Sequence, residues 1–143
     1  TLVLPKSLKN IGYCAFYRCK YTCELGLSDN ITSIEAHAFE GTENFYGVFH
    51  YPSMLMNLPN TAFGGLGSNE SFTGEIELPQ GVKKIPEGAF TFALKNRINL
   101  KIPVGVTKID HAAFHGLKFA SLKFNDDLIA IGEAAFEGGS IPF

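Results

Sequence analysis

The stretch Lys83–Phe92, "KKIPEGAFTF", sets Ile85 five residues ahead of Phe90, with Ala89 directly before the ring. The same offset recurs at Ile11/Phe16, Ile34/Phe39, Leu58/Phe63, Ile109/Phe114 and Ile131/Phe136. Alanine precedes every one of these rings, as Ala15, Ala38, Ala62, Ala89, Ala113 and Ala135. Self-similarity at a fixed offset marks a repeat architecture, which has to be settled before any single element is read. Successive phenylalanines lie 23, 24, 27, 24 and 22 residues apart. The variation therefore falls between the motifs and not inside them.

Further apolar positions surround the anchors. Seven residues before each isoleucine position stand Leu4, Leu27, Tyr51, Leu78, Ile102 and Phe124, and two residues earlier Leu2, Leu25, Phe49, Ile76, Leu100 and Leu122. A spacing of two is the period of a β-strand and sends both side chains to one face. It predicts short strands at 2–4, 25–27, 49–51, 76–78, 100–102 and 122–124, joined in one parallel sheet. Pro5, Pro52, Pro79 and Pro103 follow four of them, removing a ladder donor and turning the chain, with Ser28 and Asn125 in that slot elsewhere. Leu8, Ile31, Leu55, Val82, Val106 and Leu128 add one more buried position. The segment up to Ala-Phe, with spacings of three to five, predicts a single helical or 3₁₀ turn. Gly41, Gly65, Gly116 and Gly138, two residues after the ring, predict a left-handed exit from it.

One such unit cannot bury enough apolar surface to offset its own ordering, so the copies must stack and stability becomes a sum over neighbours. The expected fold is a solenoid of about six coils, each with one short parallel strand and a short 3₁₀ or helical turn opposite. The repeats fall at about 2–19, 25–42, 49–66, 76–93, 100–117 and 122–139, in a single domain over 1–143. The chain opens inside a repeat and reads as a fragment of a longer array.

The strings "LVLPKSLKNIGYCAF", "IELPQGVKKIPEGAF" and "LKIPVGVTKIDHAAF" resemble the BspA-like, or treponemal-type, leucine-rich repeat, over residues 2 to 140. That resemblance implies a right-handed superhelix found mainly in surface-exposed or secreted proteins of host-associated bacteria and some protozoa. It also implies adhesion to host proteins or cells, or aggregation between bacteria, and brings no catalytic motif. Cys19 holds a place where this family often has cysteine. The third repeat, "FHYPSMLMNLPNTAF", departs by placing aromatics at both strand anchors and Leu58 for isoleucine.

Composition narrows the function. A net charge of −2 with no basic run longer than Lys83-Lys84 argues against nucleic acid as partner. No apolar stretch approaches the roughly 20 residues that span a bilayer, and the first residues lack the apolar core of a signal peptide. Cys14, Cys19 and Cys23 cluster without a metal spacing or an even count; Cys14 reads as a small packing residue, and a Cys19–Cys23 bridge is the alternative for the other two. His111 and His115 have the i, i+4 spacing of metal ligands, yet both fall on repeat positions. No phosphate loop, nucleophile elbow or zinc-protease motif occurs. No cofactor and no enzymatic activity are expected.

The residues between the strand anchors face outward: Val3, Gly26, His50, Glu77, Lys101 and Lys123. Just before the strands stand Glu24, Val48, Glu75, Asn99 and Ser121, so acid in one half of the face meets base in the other. In near-identical repeats, specificity has to come from what differs. Repeat three and the enlarged Gly64–Gly74 linker hold most of the difference, and Tyr46, His50 and Phe72 have no anchor role. The expected binding surface is therefore Tyr46, His50, Phe72, Glu75, Glu77, Lys101 and Lys123, and its expected partner is a host extracellular or cell-surface protein. The expected location is the cell surface or outside the cell. An architectural spacer that presents another domain is the alternative.

Overall fold

In a computed structural model, residues 2–55, 57–65, 72–91 and 97–141 are described. Ten strands follow in chain order: β1 (Asn10–Ile11), β2 (Lys20–Glu24), β3 (Ser33–Ile34), β4 (Glu43–His50), β5 (Phe72–Glu77), β6 (Lys84–Ile85), β7 (Ile98–Lys101), β8 (Lys108–Ile109), β9 (Phe119–Lys123) and β10 (Ala130–Ile131). All pairings between them are parallel. The longer strands form a five-stranded sheet in the order β2-β4-β5-β7-β9, which is chain order with one short strand skipped at every step but β4 to β5. The short strands pair separately as β1-β3 and β6-β8-β10. Apart from that step, the chain crosses from the long sheet to a short ladder and returns one strand further along.

The strand expectation needs correcting in register and in number. The long strands begin earlier than the alternating pairs suggested and stop short of the second anchor; β2 ends before the first, so no strand forms over 25–27, and none forms over 2–4. Proline explains the stop: Leu78 and Ile102 precede Pro79 and Pro103, whose missing N–H ends the ladder. Ile102 still donates to the Lys123 carbonyl at 2.8 Å, as the last bond of that edge. The inward side of the alternation is as read in the middle of the stack, with Leu25, Leu27, Tyr51, Ile76, Leu78, Leu100 and Ile102 buried, but at the ends Leu2, Leu4 and Leu122 are half-buried and Phe124 is exposed. The two-residue strands at the isoleucine anchors were not expected, because two residues carry no readable period.

The helical or 3₁₀ turn is also overturned, since no helix occurs among the described residues. The reason is a left-handed residue at the third position after the isoleucine anchor, where φ is 55° at Cys14, 59° at His37, 51° at Thr61, 62° at Gly88, 51° at Ala112 and 56° at Ala134. A second follows four residues later, at 52° for Arg18 and 64°, 70°, 79° and 69° for Gly41, Gly65, Gly116 and Gly138. A helix cannot continue through such residues. The segment becomes a run of i→i−3 turns, such as Ala15 to Gly12 and Tyr17 to Cys14, and alternate N–H groups are released to the next repeat. Phe16, Phe39, Phe90 and Phe114 donate at 2.8 Å to the carbonyls of Ala38, Ala62, Ala113 and Ala135. That bond is why alanine precedes the ring: its backbone touches the preceding repeat and its buried methyl takes little room.

Inside the stack the six phenylalanines form a column of nearly parallel rings. Centroids are 5.1 Å apart for Phe16–Phe39, 5.5 Å for Phe39–Phe63, 6.0 Å for Phe63–Phe90, 5.6 Å for Phe90–Phe114 and 5.4 Å for Phe114–Phe136. These separations lie within the stacking range of aromatic pairs. The widest gap coincides with the longest sequence interval. Cys14 and Cys19 carry free thiols, and Cys14 is partly buried at a left-handed turn position.

Candidate protein-binding face

The five-stranded sheet turns one side to the core and the other outward, and alternation decides which residues appear on each. His50, Glu77, Lys101 and Lys123 are all exposed, on β4, β5, β7 and β9. Register brings them into one row across the strands: His50 lies opposite Glu77, and Lys101 opposite Lys123. His50 Nδ1 and the Glu77 carboxylate are 2.8 Å apart. Lys101 and Lys123 have no acidic partner among the described residues. Behind this pair Ser121 donates to Asn99 Oδ1 at 2.8 Å, and these two residues are also in register.

Two open depressions share Glu77. One, about 420 Å³, is lined by polar Glu77, Gln80, Asn99, Lys101, Ser121 and Lys123 beside apolar Ile76, Leu78 and Leu100. The other, about 450 Å³, brings Glu24, Asp29 and His50 to the far side of Glu77, next to Tyr51. Asp29 accepts the Ser53 N–H at 2.8 Å, and this bond holds its carboxyl below the usual range. Asp29 and Gln80 were missed in sequence; each belongs to the turn after a strand, where the polar residue reads as turn chemistry alone.

Of the expected surface, His50, Glu77, Lys101 and Lys123 are brought together. Tyr46, Phe72 and Glu75 lie on β4 and β5, but their side chains fall outside the described residues, as do residues 66–71 of the enlarged linker. The row is less regular than the sequence alignment implied. Glu24 pairs with Tyr46, two residues from the alignment partner Val48, and the ladder shifts register on both sides of β4. A shift of two preserves which face each side chain occupies, whereas a shift of one would invert it.

Elsewhere the repeats are tied by polar contacts of a structural kind. His37 contacts Glu40 in its own turn and Thr61 Oγ1 of the next repeat, the latter at 2.8 Å. Asp110 receives Lys84 Nζ at 2.5 Å and Lys108 Nζ at 2.9 Å, across β6 and β8. No group of three His, Cys, Asp or Glu side chains converges on a metal position among the described residues. Among the described residues no helix is long and apolar enough to cross a membrane.

A family model for the BspA type leucine-rich repeat region matches residues 1–93 and 57–141, in six copies. The chain belongs to the BspA-type leucine-rich repeat family. Repeats of this kind are generally protein-interaction modules without enzymatic activity, typically associated with bacterial surfaces. Neither the curated proteins nor the solved structures include a significant match to it.

Proposed function

We propose that this BspA-type chain is a non-catalytic protein-binding module, displayed on a cell surface or secreted, that adheres to a host protein through the outer face of its five-stranded sheet. The repeats of such a module continue as a right-handed solenoid, the hand favoured for parallel crossover connections. One observation carries the assignment: Lys101 and Lys123 stand opposite one another on adjacent strands, and among the described residues neither forms an ion pair. Directly opposed like charges destabilise a strand pair, so a face that keeps them is explained better by a partner than by architecture. Depressions this shallow and this polar suit a protein surface more than a small substrate.

The test is binding of the 143-residue chain to a panel of purified extracellular matrix proteins, with His50→Ala, Lys101→Glu and Lys123→Glu variants of unchanged fold. Loss of binding in the lysine variants is expected. A chain that binds none of the panel and no host cell favours a spacer, and binding indifferent to all three substitutions moves the site off this face.

A further inference from the structure

The sheet face is divided by charge, and the division fits a particular kind of partner. On one side of Glu77 lie Glu24 and Asp29; on the other lie Lys101 and Lys123, with Asn99 exposed two residues before Lys101 on the same strand. Glu77 itself is matched by His50. The Asn99 oxygen is committed to Ser121, so its amide hydrogens are the group left to face an incoming acceptor. The lysine end is thus a carboxylate-accepting patch of two ammonium groups and an amide donor. The other end carries carboxylates that accept a cation.

Strands in a sheet are about 4.8 Å apart, and the centre of the lysine pair lies roughly two and a half strands from the centre of the acidic depression. That separation is about 12 Å, which an extended chain covers in three or four residues at about 3.3 Å each. We infer that this face recognises an extended, mixed-charge segment of a protein partner that crosses the strands. An acidic residue seats over Lys101 and Lys123, and a basic residue three or four positions away seats over Glu24, Asp29 and Glu77. A uniformly anionic polymer such as a sulfated glycan gains at the lysines but is repelled at Glu77, Glu24 and Asp29, so the charge division favours the peptide. The inference rests on the protein-binding reading above and specifies its partner.

The experiment titrates the isotope-labelled chain with capped synthetic peptides and follows backbone amide shifts together with calorimetric affinity. The probes are a peptide with Asp-Asp and Lys-Lys separated by a short Gly/Ser spacer, the Asp-only and Lys-only versions, a version with a doubled spacer, and a heparin-derived oligosaccharide. The mixed-charge peptide with the short spacer is expected to bind best. Its shifts should centre on His50, Glu77, Asn99, Lys101 and Lys123, and added salt should weaken it, because the charges are exposed. Lys123→Glu is expected to lower its affinity on the order of tenfold or more. Tighter binding of the oligosaccharide, indifference to spacer or charge pairing, or no shifts at millimolar peptide would each overturn the inference. If the peptides fail while Lys123→Glu still abolishes binding to a matrix protein, the sheet-face reading stands and only this specification falls.

Discussion

Phe63 shows what a single position contributes in a stacked repeat. Its ring is buried between Phe39 and Phe90, and the edge of Tyr51 meets it at 5.3 Å. Phe63→Ala should destabilise by about 3–5 kcal/mol, since the cavity is shared by the repeats on either side and neither can collapse into it alone. A denaturant midpoint unchanged from the parent would contradict this. Gly65 tests the backbone instead. Its φ is 70°, and an added Cβ would stand 3.4 Å from the nearest atoms of Gly41, an ordinary contact. Gly65→Ala should therefore cost about 1–2 kcal/mol from conformation alone, measurable in the same denaturation experiment. At Asp110 the ammonium groups of Lys84, first, and Lys108 hold the carboxyl below its ordinary value of 3.8. A carboxyl pKa depressed on folding contributes stability above that ordinary value, and the contribution is lost as pH falls below it through the folded-state pKa. Asp110→Asn should lower stability near neutral pH by about 1 kcal/mol or less, and should flatten the fall in melting temperature on the acid side of 3.8. An acid limb as steep as that of the parent would count against the pairing.

Among the elements, the strand pair β7–β9 holds the sharpest conflict between stability and use. Lys123→Glu converts the opposed lysines into an opposite-charge pair and should raise stability by about 0.2–1 kcal/mol, as a small upward shift in melting temperature, while it removes half of the carboxylate-accepting patch. A variant that melts lower would mean that the lysines are already accommodated by contacts within the sheet. The inward anchors were legible in sequence because a period of two, repeated six times, has no competing explanation, and the outward row His50, Glu77, Lys101 and Lys123 followed from the same alternation. Other features were not legible, for identifiable reasons. A spacing of three to five before Ala-Phe fits a helical turn and a chain of left-handed turns equally well, and only the positive φ at residues such as Cys14 and Ala112 separates them. The ladders at Ile85 and Ile109 are too short to show a period. The offset that sets Glu24 against Tyr46 depends on irregularities in the ladder, which motif alignment passes over because it fixes anchors and ignores the linkers between them.

For the molecule as a whole, the decisive feature is the direction of its bonds between repeats. Hydrogen bonds such as Phe39 to Ala62, and the ladders from β2 to β9, all run from one repeat to the next, nearly along the stacking direction. Under tension applied from end to end, these bonds are loaded in series, and each interface carries the full force. The chain then behaves as a row of links whose strength is that of the weakest. That link is expected at the joint between β4 and β5, where no short strand intervenes among the described residues and Phe63 and Phe90 are the most widely spaced of the stacked rings. Stretching single molecules by handles at both ends should release chain in several small steps, the first of them at this joint. One abrupt rupture of the whole length would show that the load is shared. Yielding repeat by repeat would let the protein lengthen under load while the lysine pair on β7 and β9, beyond the first joint to open, stays in place.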